Sequence, residues 1–363
     1  LWRETLLLQF HDILPGTSIA WVHAEARARY AAVHARLEAI IGAALRMLLG
    51  EGVLDARVNS APVPASGLAP TVPPMGAAPA EGPAVPSADA AAGGQAHALA
   101  HGAGAVLRGH GLTLRFDGRG EIVSLLDERA ARELVPRGEA LGRFRLFHDV
   151  PTRWDAWDLD ARVTSQPVAE TSTSARIDVD AAAPAVTVMR RIGASTVVAS
   201  YRLSSHSRAI DVGIELDWRE REKALKWELP LALHASEATS EVQFGHVRRS
   251  IHRNTSWDAA RFETSAQRWV HVGEPGYGVA LANAWTYGAG MRRDVRDAAG
   301  DGLALESSVT IGVTLARAPS FPDPGADRGV HRFGFLLAPG ASIDEAIELG
   351  SRLQLPPREV AGV

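Results

Sequence analysis

Between Leu107 and Leu337 apolar residues recur at every second position, and that period leaves the chain little choice of fold. Ile210, Val212, Ile214, Leu216 and Trp218 share one face of an extended segment, with Asp211, Glu215 and Asp217 on the other. Leu225, Trp227, Leu229, Leu231 and Leu233 repeat the pattern. So do Leu112, Leu114 and Phe116, before a DGRG turn that leads into Ile122 and Val123. Side chains of a strand alternate between two faces, so such runs are half-buried antiparallel strands. Their number, with turn signals between them, predicts a mainly β protein with a large antiparallel β-sandwich over residues 105–342. The segment IDEAIELGSRLQL then adds a short helix, read as the start of a C-terminal region over 343–363.

Ahead of the strands the period is three to four. Leu6, Phe10 and Leu14 have helical spacing, and Pro15-Gly16 interrupts it. Thr17 or Ser18 can cap a second helix, whose stripe runs from Ile19 through Val22, Ala26, Tyr30, Val33 and Leu37 to Leu48 and ends at Gly50 and Gly52. A stripe of that length needs helices to cover it, so residues 1–52 read as two helices from a helical bundle. The chain supplies only one short partner. It also opens on Leu1 inside a helical pattern, an expectation that the natural start lies upstream. Residues 53–104 are rich in Ala, Pro and Gly with hardly a large apolar side chain, and read as linker or a degenerate small β region, partly disordered.

Composition closes several classes. Lys+Arg and Asp+Glu nearly balance at 38 and 42, so no concentrated positive field draws nucleic acid or a membrane surface. With no cysteine, disulfides, thiolate metal sites and Cys nucleophiles are excluded. No apolar run approaches a membrane span and no signal peptide is evident, so the expected setting is cytoplasmic.

Chemistry has few places to reside. His11 and Asp12 adjoin in LLLQFHDILPGTS; side chains one apart on a helix point about 100° from each other, so the two could approach one site from different angles. A histidine is a good zinc ligand and a carboxylate beside a metal can bind sugar hydroxyls, but on spacing alone the pair reads first as a helix-end couple. RWDAWDLD offers Trp154, Asp155, Trp157, Asp158 and Asp160, either a sugar-recognition surface or a strand sending its tryptophans into the core. His246, His252 and Asp258, and Asp323, Asp327 and His331, form loop clusters of the kind that hydrogen-bonded turns make. No phosphate loop, dinucleotide fingerprint or G-x-S-x-G is present.

Taken in order, LLLQFHDILPGTSIAWVHAEA, LRFDGRGEIVSLLDERAARELV, LFHDVPTRWDAWDLD, VQFGHVRRSIHRNTSWDAARFE, GYGVALAN and PSFPDPGADRGVHRF resemble the middle and C-terminal portions of glycoside hydrolase family 38, the retaining α-mannosidases of its bacterial and fungal branch. The resemblance covers the chain except residues 60–104. It implies a mutarotase-like super-sandwich. It implies that His11 supplies the last of four ligands to one zinc or cobalt ion, and that Asp12 binds mannose hydroxyls. Tyr277, Asn283 and Tyr287 lie where the sandwich could send a loop to the site, and Tyr287 is the substrate-binding candidate. The other ligands, an H-x-D pair and the catalytic aspartate nucleophile, and the general acid belong in that family to an N-terminal α/β domain; this sequence contains no H-x-D. The whole enzyme would cleave mannose-containing oligosaccharides by double displacement, and this chain alone would be catalytically incomplete. Self-association as a homo-oligomer is compatible with the resemblance. Two other classes compete: a non-catalytic carbohydrate-binding sandwich using Trp154–Asp160, and a purely structural interaction domain.

Overall fold

The alternation is realised in the computed structural model, which describes residues 1–65, 72–80, 96–168, 175–204, 207–297 and 305–362. In strand Ile210–Trp218 the five apolar side chains are buried, while Asp211 and Glu215 stand exposed. The strand lies inside a nine-stranded antiparallel sheet. That sheet runs from Gly245–Ser250 through Glu237–Val242, Trp269–Glu274, Tyr277–Asn283, Gly329–Pro339, Ile210–Trp218, Ser195–Leu203 and Ala185–Ile192 to Ala175–Asp180. A five-stranded sheet, Thr264–Ser265, Gly288–Asp297, Leu305–Ala316, Lys223–Leu231 and Arg143–His148 in spatial order, faces it. A third sheet of successive hairpins spans His97–Glu133.

One core joins the three sheets. Trp227 of the five-stranded sheet meets Phe335 of the nine-stranded sheet with ring centroids 4.9 Å apart, and Phe116 of the hairpin sheet meets Tyr201 at 5.2 Å. Burying large aromatic faces between sheets is the main favourable term here. Strand Lys223–Leu231 departs from the expected half-solvated pattern, for it is buried on both faces. Its polar face is neutralised instead of hydrated. Lys226 pairs with Glu263 and donates to the Thr314 hydroxyl at 2.8 Å, and Glu228 lies 3.4 Å from both Arg145 and Arg292. Buried charges persist when partners replace the lost water.

Two helices precede the sheets, as expected: α1 over Trp2–Leu8 and α2 over Ala20–Leu49. α1 stops three residues before His11, so the His11–Asp12 pair sits in a turn and not on a helix. The two helices form a hairpin in which the Tyr30 hydroxyl donates to the free Leu8 carbonyl at 2.9 Å. Of the α2 stripe only Ala26 and Val33 are buried; Leu37, Ile40 and Leu48 are exposed, as are Leu6 and Leu14.

The segment read as linker or a degenerate small β region carries pairing where it is described. Ala56–Asn59 is the middle strand of a small antiparallel sheet, between Gly76–Pro79 and Arg358–Val360. Backbone pairing is joined by the buried Asn59 side chain, which donates to the Val63 and Pro73 carbonyls and accepts the Ala61 N–H, contacts that composition does not display. The rest of that disorder expectation falls on 66–71 and 81–95, outside the described residues. Residues 343–362, expected to open a separate region, return to the body already built. Helix Ile343–Gln354 starts in a Ser342/Glu345 capping box and buries Ala346 and Leu349 with Trp269, Ala280 and Ala338 of the nine-stranded sheet. Arg358 then makes a two-pronged ion pair with Glu38 of α2 at 2.6 and 2.8 Å.

Trp218 is fully buried and its indole donates to the Arg317 carbonyl at 3.1 Å. Trp218→Ala is expected to lower the free energy of unfolding by about 3–5 kcal/mol in denaturant titrations. A loss below about 1 kcal/mol, the scale of a surface change, would contradict its place in the shared core.

Candidate functional site

Register gathers several loops at one end of the nine-stranded sheet. Trp218 pairs with Gly329, and strand Tyr277–Asn283 runs antiparallel to Gly329–Pro339, so residues 219–222, 284–288 and 317–328 emerge together. Residues 149–160 join them through the Asp149 N–H, which donates to the Glu222 carbonyl at 2.9 Å.

Arg317 ties these loops into one body. Its guanidinium forms a forked pair with Asp149, Nε to Oδ2 at 2.6 Å and Nη2 to Oδ1 at 3.1 Å. It also donates to the carbonyls of Asp155, Ala156 and Asp158 at 3.2, 3.4 and 2.6 Å. Asp155 returns the link, accepting the N–H groups of Ser320 and Phe321 at 2.5 and 2.9 Å. Asp149 is buried, so the guanidinium fork replaces its water with directional charge-assisted bonds.

The held turn pushes its aromatic residues outward. Trp154 takes a left-handed backbone (φ 58°), a conformation that costs a non-glycine residue on the order of 1–3 kcal/mol. Trp154, Trp157 and Phe321 are exposed at 64%, 43% and 63%. Trp157 stands edge-on to Trp154 at 6.4 Å and 6.3 Å from the Phe321 ring. The alternative of a strand sending its tryptophans into the core is therefore overturned: residues 154–157 form a turn, and a turn pinned through its carbonyls cannot alternate.

The helix hairpin docks on this platform. The Trp157 indole N–H donates to Asp12 Oδ1 at 2.8 Å, and the Thr17 hydroxyl donates to the same oxygen at 2.8 Å. The Ser18 hydroxyl donates to the Asp12 carbonyl at 2.6 Å. Pro15 and Gly16 (φ 74°) make the reversal that brings Thr17 and Ser18 back over Asp12. Thr17 and Ser18 thus orient Asp12 instead of capping α2, whose N-cap is Ile19. A second contact fixes the hairpin. The Ser18 N–H donates to His23 Nε2 at 3.2 Å, which leaves the ring proton on Nδ1, 2.8 Å from Asp323 Oδ2.

Electrostatics follow from these partners. The Trp157 and Thr17 donors hold the Asp12 carboxyl below the usual carboxylate range; slight burial opposes them and His11 adds to them. At Asp323 burial pushes upward, but the Gly325 N–H and His23 outweigh it and the net shift is downward. His11 is the open member of the pair, its side chain 75% exposed and its Nε2 3.3 Å from Asp12 Oδ2.

The other expected residues fall as follows. Tyr287 is exposed on a turn at this same end of the sheet, but no hydrogen bond or ring contact joins it to His11 or Asp12. Asn283 is consumed within its own turn, bonding the Thr286 N–H and the Gln267 carbonyl. Tyr277 donates to Asp127 at 2.8 Å beneath Arg132. His252 lies 3.5 Å from Asp258, which the Thr255 side chain caps. His23, Arg317 and Phe321 are not singled out by the sequence, and Thr17 only as a cap for the second helix. The stretches that carry a signal are LLLQFHDILPGTSIAWVHAEA, which contains Thr17 and His23, and PSFPDPGADRGVHRF, which contains Phe321.

His11 and Asp12 do not by themselves fit a closed metal site. Such sites use three or four protein ligands, and among the described residues no group of three or more His, Cys, Asp or Glu side chains could hold an ion. No described helix is long and apolar enough to cross a membrane.

Comparison with known proteins agrees with this layout. Residues 107–325 match the profile described as "Glycosyl hydrolases family 38 C-terminal domain", and residues 1–48 match "Alpha mannosidase middle domain". Human "Alpha-mannosidase 2C1" is 33% identical over 371 residues, covering 93% of this chain and 33% of that protein. "Alpha-mannosidase G" of Dictyostelium discoideum is 28% identical, covering 63% of this chain and 20% of its own length. The chain thus spans about a third or less of the curated relatives it matches. The crystal structure of an α-mannosidase from Enterococcus faecalis V583 superposes over 100% of this chain and 53% of its own, with TM-score 0.73 and 11% identity, a likeness of fold.

Trp157→Phe removes the strongest donor to Asp12. The Asp12 pKa, followed by carboxyl carbon NMR, is expected to rise toward the ordinary value of about 4; an unchanged titration would contradict the bond. Asp12 and Asp323 both have lowered pKa values. Their contribution to docking is therefore fully present above about pH 4 and is lost as pH falls through the lowered values. Protection of the Ser18 amide, taken relative to its intrinsic exchange rate, should fall over that acid window before protection in strand Ile210–Trp218 does.

Proposed function

This chain belongs to glycoside hydrolase family 38, and on that premise we propose that it is the central portion of a retaining, metal-dependent α-mannosidase that releases terminal α-D-mannose from oligosaccharides. The observation that carries the reading is the orientation of Asp12. Its carboxylate is held by the Trp157 indole and Thr17 beside an open His11, where the middle-domain helices meet the sandwich.

In this reading His11 gives one ligand to one divalent ion, zinc or cobalt, which when bound would grip ring hydroxyls and polarise them. The remaining ligands, the nucleophile and the general acid come from the family's N-terminal domain. Asp12 acts on the sugar directly. Its lowered pKa keeps it an acceptor at neutral pH, and Oδ2, which takes neither the Trp157 nor the Thr17 bond and has only His11 Nε2 beside it at 3.3 Å, would serve mannose hydroxyls once His11 turns to the ion. Trp154, Trp157 and Phe321 offer apolar faces to sugar C–H groups beside it. Tyr287 is assigned as a further substrate contact from the sandwich side. The setting is cytoplasmic, in keeping with a chain without cysteine.

A second reading draws on the exposure of Trp154 and Trp157: the platform binds sugar without catalysis. The two separate cleanly. The non-catalytic reading expects mannose affinity that survives changing His11 and Asp12 to Ala. The mannosidase reading expects no turnover of an aryl α-mannoside by this chain alone. It expects chelator-sensitive turnover by a form carrying the family's N-terminal domain ahead of Leu1. In that form Asp12→Asn should lower kcat/KM roughly 10- to 100-fold, the scale of a hydrogen bond to a charged group, and His11→Ala should remove the metal response. Full activity in both variants would sink the assignment of this pair.

A further inference from the structure

A second polar site, lined by none of the Asp12-platform residues, lies on the outer face of the five-stranded sheet. Strand Lys223–Leu231 turns Leu225, Trp227 and Leu229 into the core and presents Glu228 and Pro230 to the opposite side. There the strands Arg143–His148 and Gly288–Asp297, the turn at Arg119 and the side chain of Arg190 enclose a cleft of about 540 Å³. That volume suits a small ligand.

Six guanidiniums line the cleft, those of Arg119, Arg143, Arg145, Arg190, Arg292 and Arg296, against the three carboxylates of Glu121, Glu139 and Glu228. Lys223 and Lys226 are the only lysines in the sequence, so arginine as such carries no message; the convergence does. The carboxylates are already shared. Glu139 serves Arg143 and Arg296, Glu228 serves Arg145 and Arg292, and Glu121 takes Arg143 at 3.0 Å. Asp294, outside the lining, takes Arg292 at 3.1 Å. A lattice that merely ties strands together accounts for those four arginines. It does not account for the other two. Arg119 forms no side-chain hydrogen bond or ion pair among the described residues. Arg190 donates to the Gly120 carbonyl at 3.0 Å, one residue from Arg119, and its buried Nε has no partner. Its guanidinium also lies 5.7 Å from the Phe144 ring, which gives the cleft an apolar wall.

We infer that this cleft binds a small sugar-sized anion, through a phosphate or carboxylate group received by Arg119 and Arg190 at the Gly120 turn. Guanidinium forks match both groups in geometry, and the exposed Arg119 fork, without a protein partner among the described residues, is open to one. The inference is independent of the mannosidase reading, since none of these residues touches the Asp12 platform.

Calorimetric titration of the chain with glucose 6-phosphate, glucuronate and neutral glucose tests it. Saturable one-site binding of either anion is expected, with no binding of glucose, and the anion that binds identifies the group. Arg119→Gln, at an exposed side chain, should weaken that affinity about tenfold while leaving the thermal midpoint unchanged; Arg190→Gln should weaken it at least as much. Absence of saturable binding by both anions, equal binding of glucose, or unchanged affinity in Arg119→Gln would overturn the inference.

Discussion

The guanidinium of Arg317 is the point on which the described site depends. Strand Leu305–Ala316 delivers it to the end of the sandwich, and Asp149 fixes it there by a two-pronged pair. Three carbonyls of the Trp154–Asp158 turn then bond to it, so the turn inherits the rigidity of the sheet. The exposed tryptophans are a consequence. A turn held by its backbone is free to present side chains that a folding chain would otherwise bury, and the strained Trp154 persists because its surroundings over-determine it.

What the platform presents is an orientation. Asp12 belongs to a helix hairpin with an open apolar stripe and little core of its own, and within the hairpin the Thr17 hydroxyl holds its carboxylate. The Trp157 indole does so from 145 residues away, and His23 anchors the same hairpin to Asp323 across 300 residues. A charge held by preorganised donors can accept new hydrogen bonds without first reordering its surroundings. That is the physical link between the sandwich and the carboxylate proposed to bind sugar.

The fold was largely legible because alternation states burial directly, as strand Ile210–Trp218 shows. Strand Lys223–Leu231 was half legible: its apolar face was plain, but the partners of Lys226 and Glu228 lie on other strands and leave no local trace. The small sheet of Ala56–Asn59 was masked by a composition that suits both linkers and backbone-paired strands. At the site, His11 and Asp12 were legible through resemblance and not through spacing. The tryptophans of RWDAWDLD fit both a strand and a surface turn in the sequence, since only the distant Arg317 settles whether that segment extends or turns. Thr17 and Ser18 were read as caps because a hydroxyl before a helix usually serves the helix; here the Pro15–Gly16 reversal aims both at Asp12. His23 was invisible inside a long amphipathic pattern.

The account rests on Trp157 acting through Asp12, and a double-mutant cycle tests that most directly. Asp12→Asn, Trp157→Phe and the pair would be compared by kcat/KM on an aryl α-mannoside, in a form carrying the family's N-terminal domain. The account predicts strong coupling: Trp157→Phe impairs the enzyme with Asp12 present and adds little once Asp12 is Asn. Losses that simply multiply, with Trp157→Phe equally harmful in both backgrounds, would contradict it.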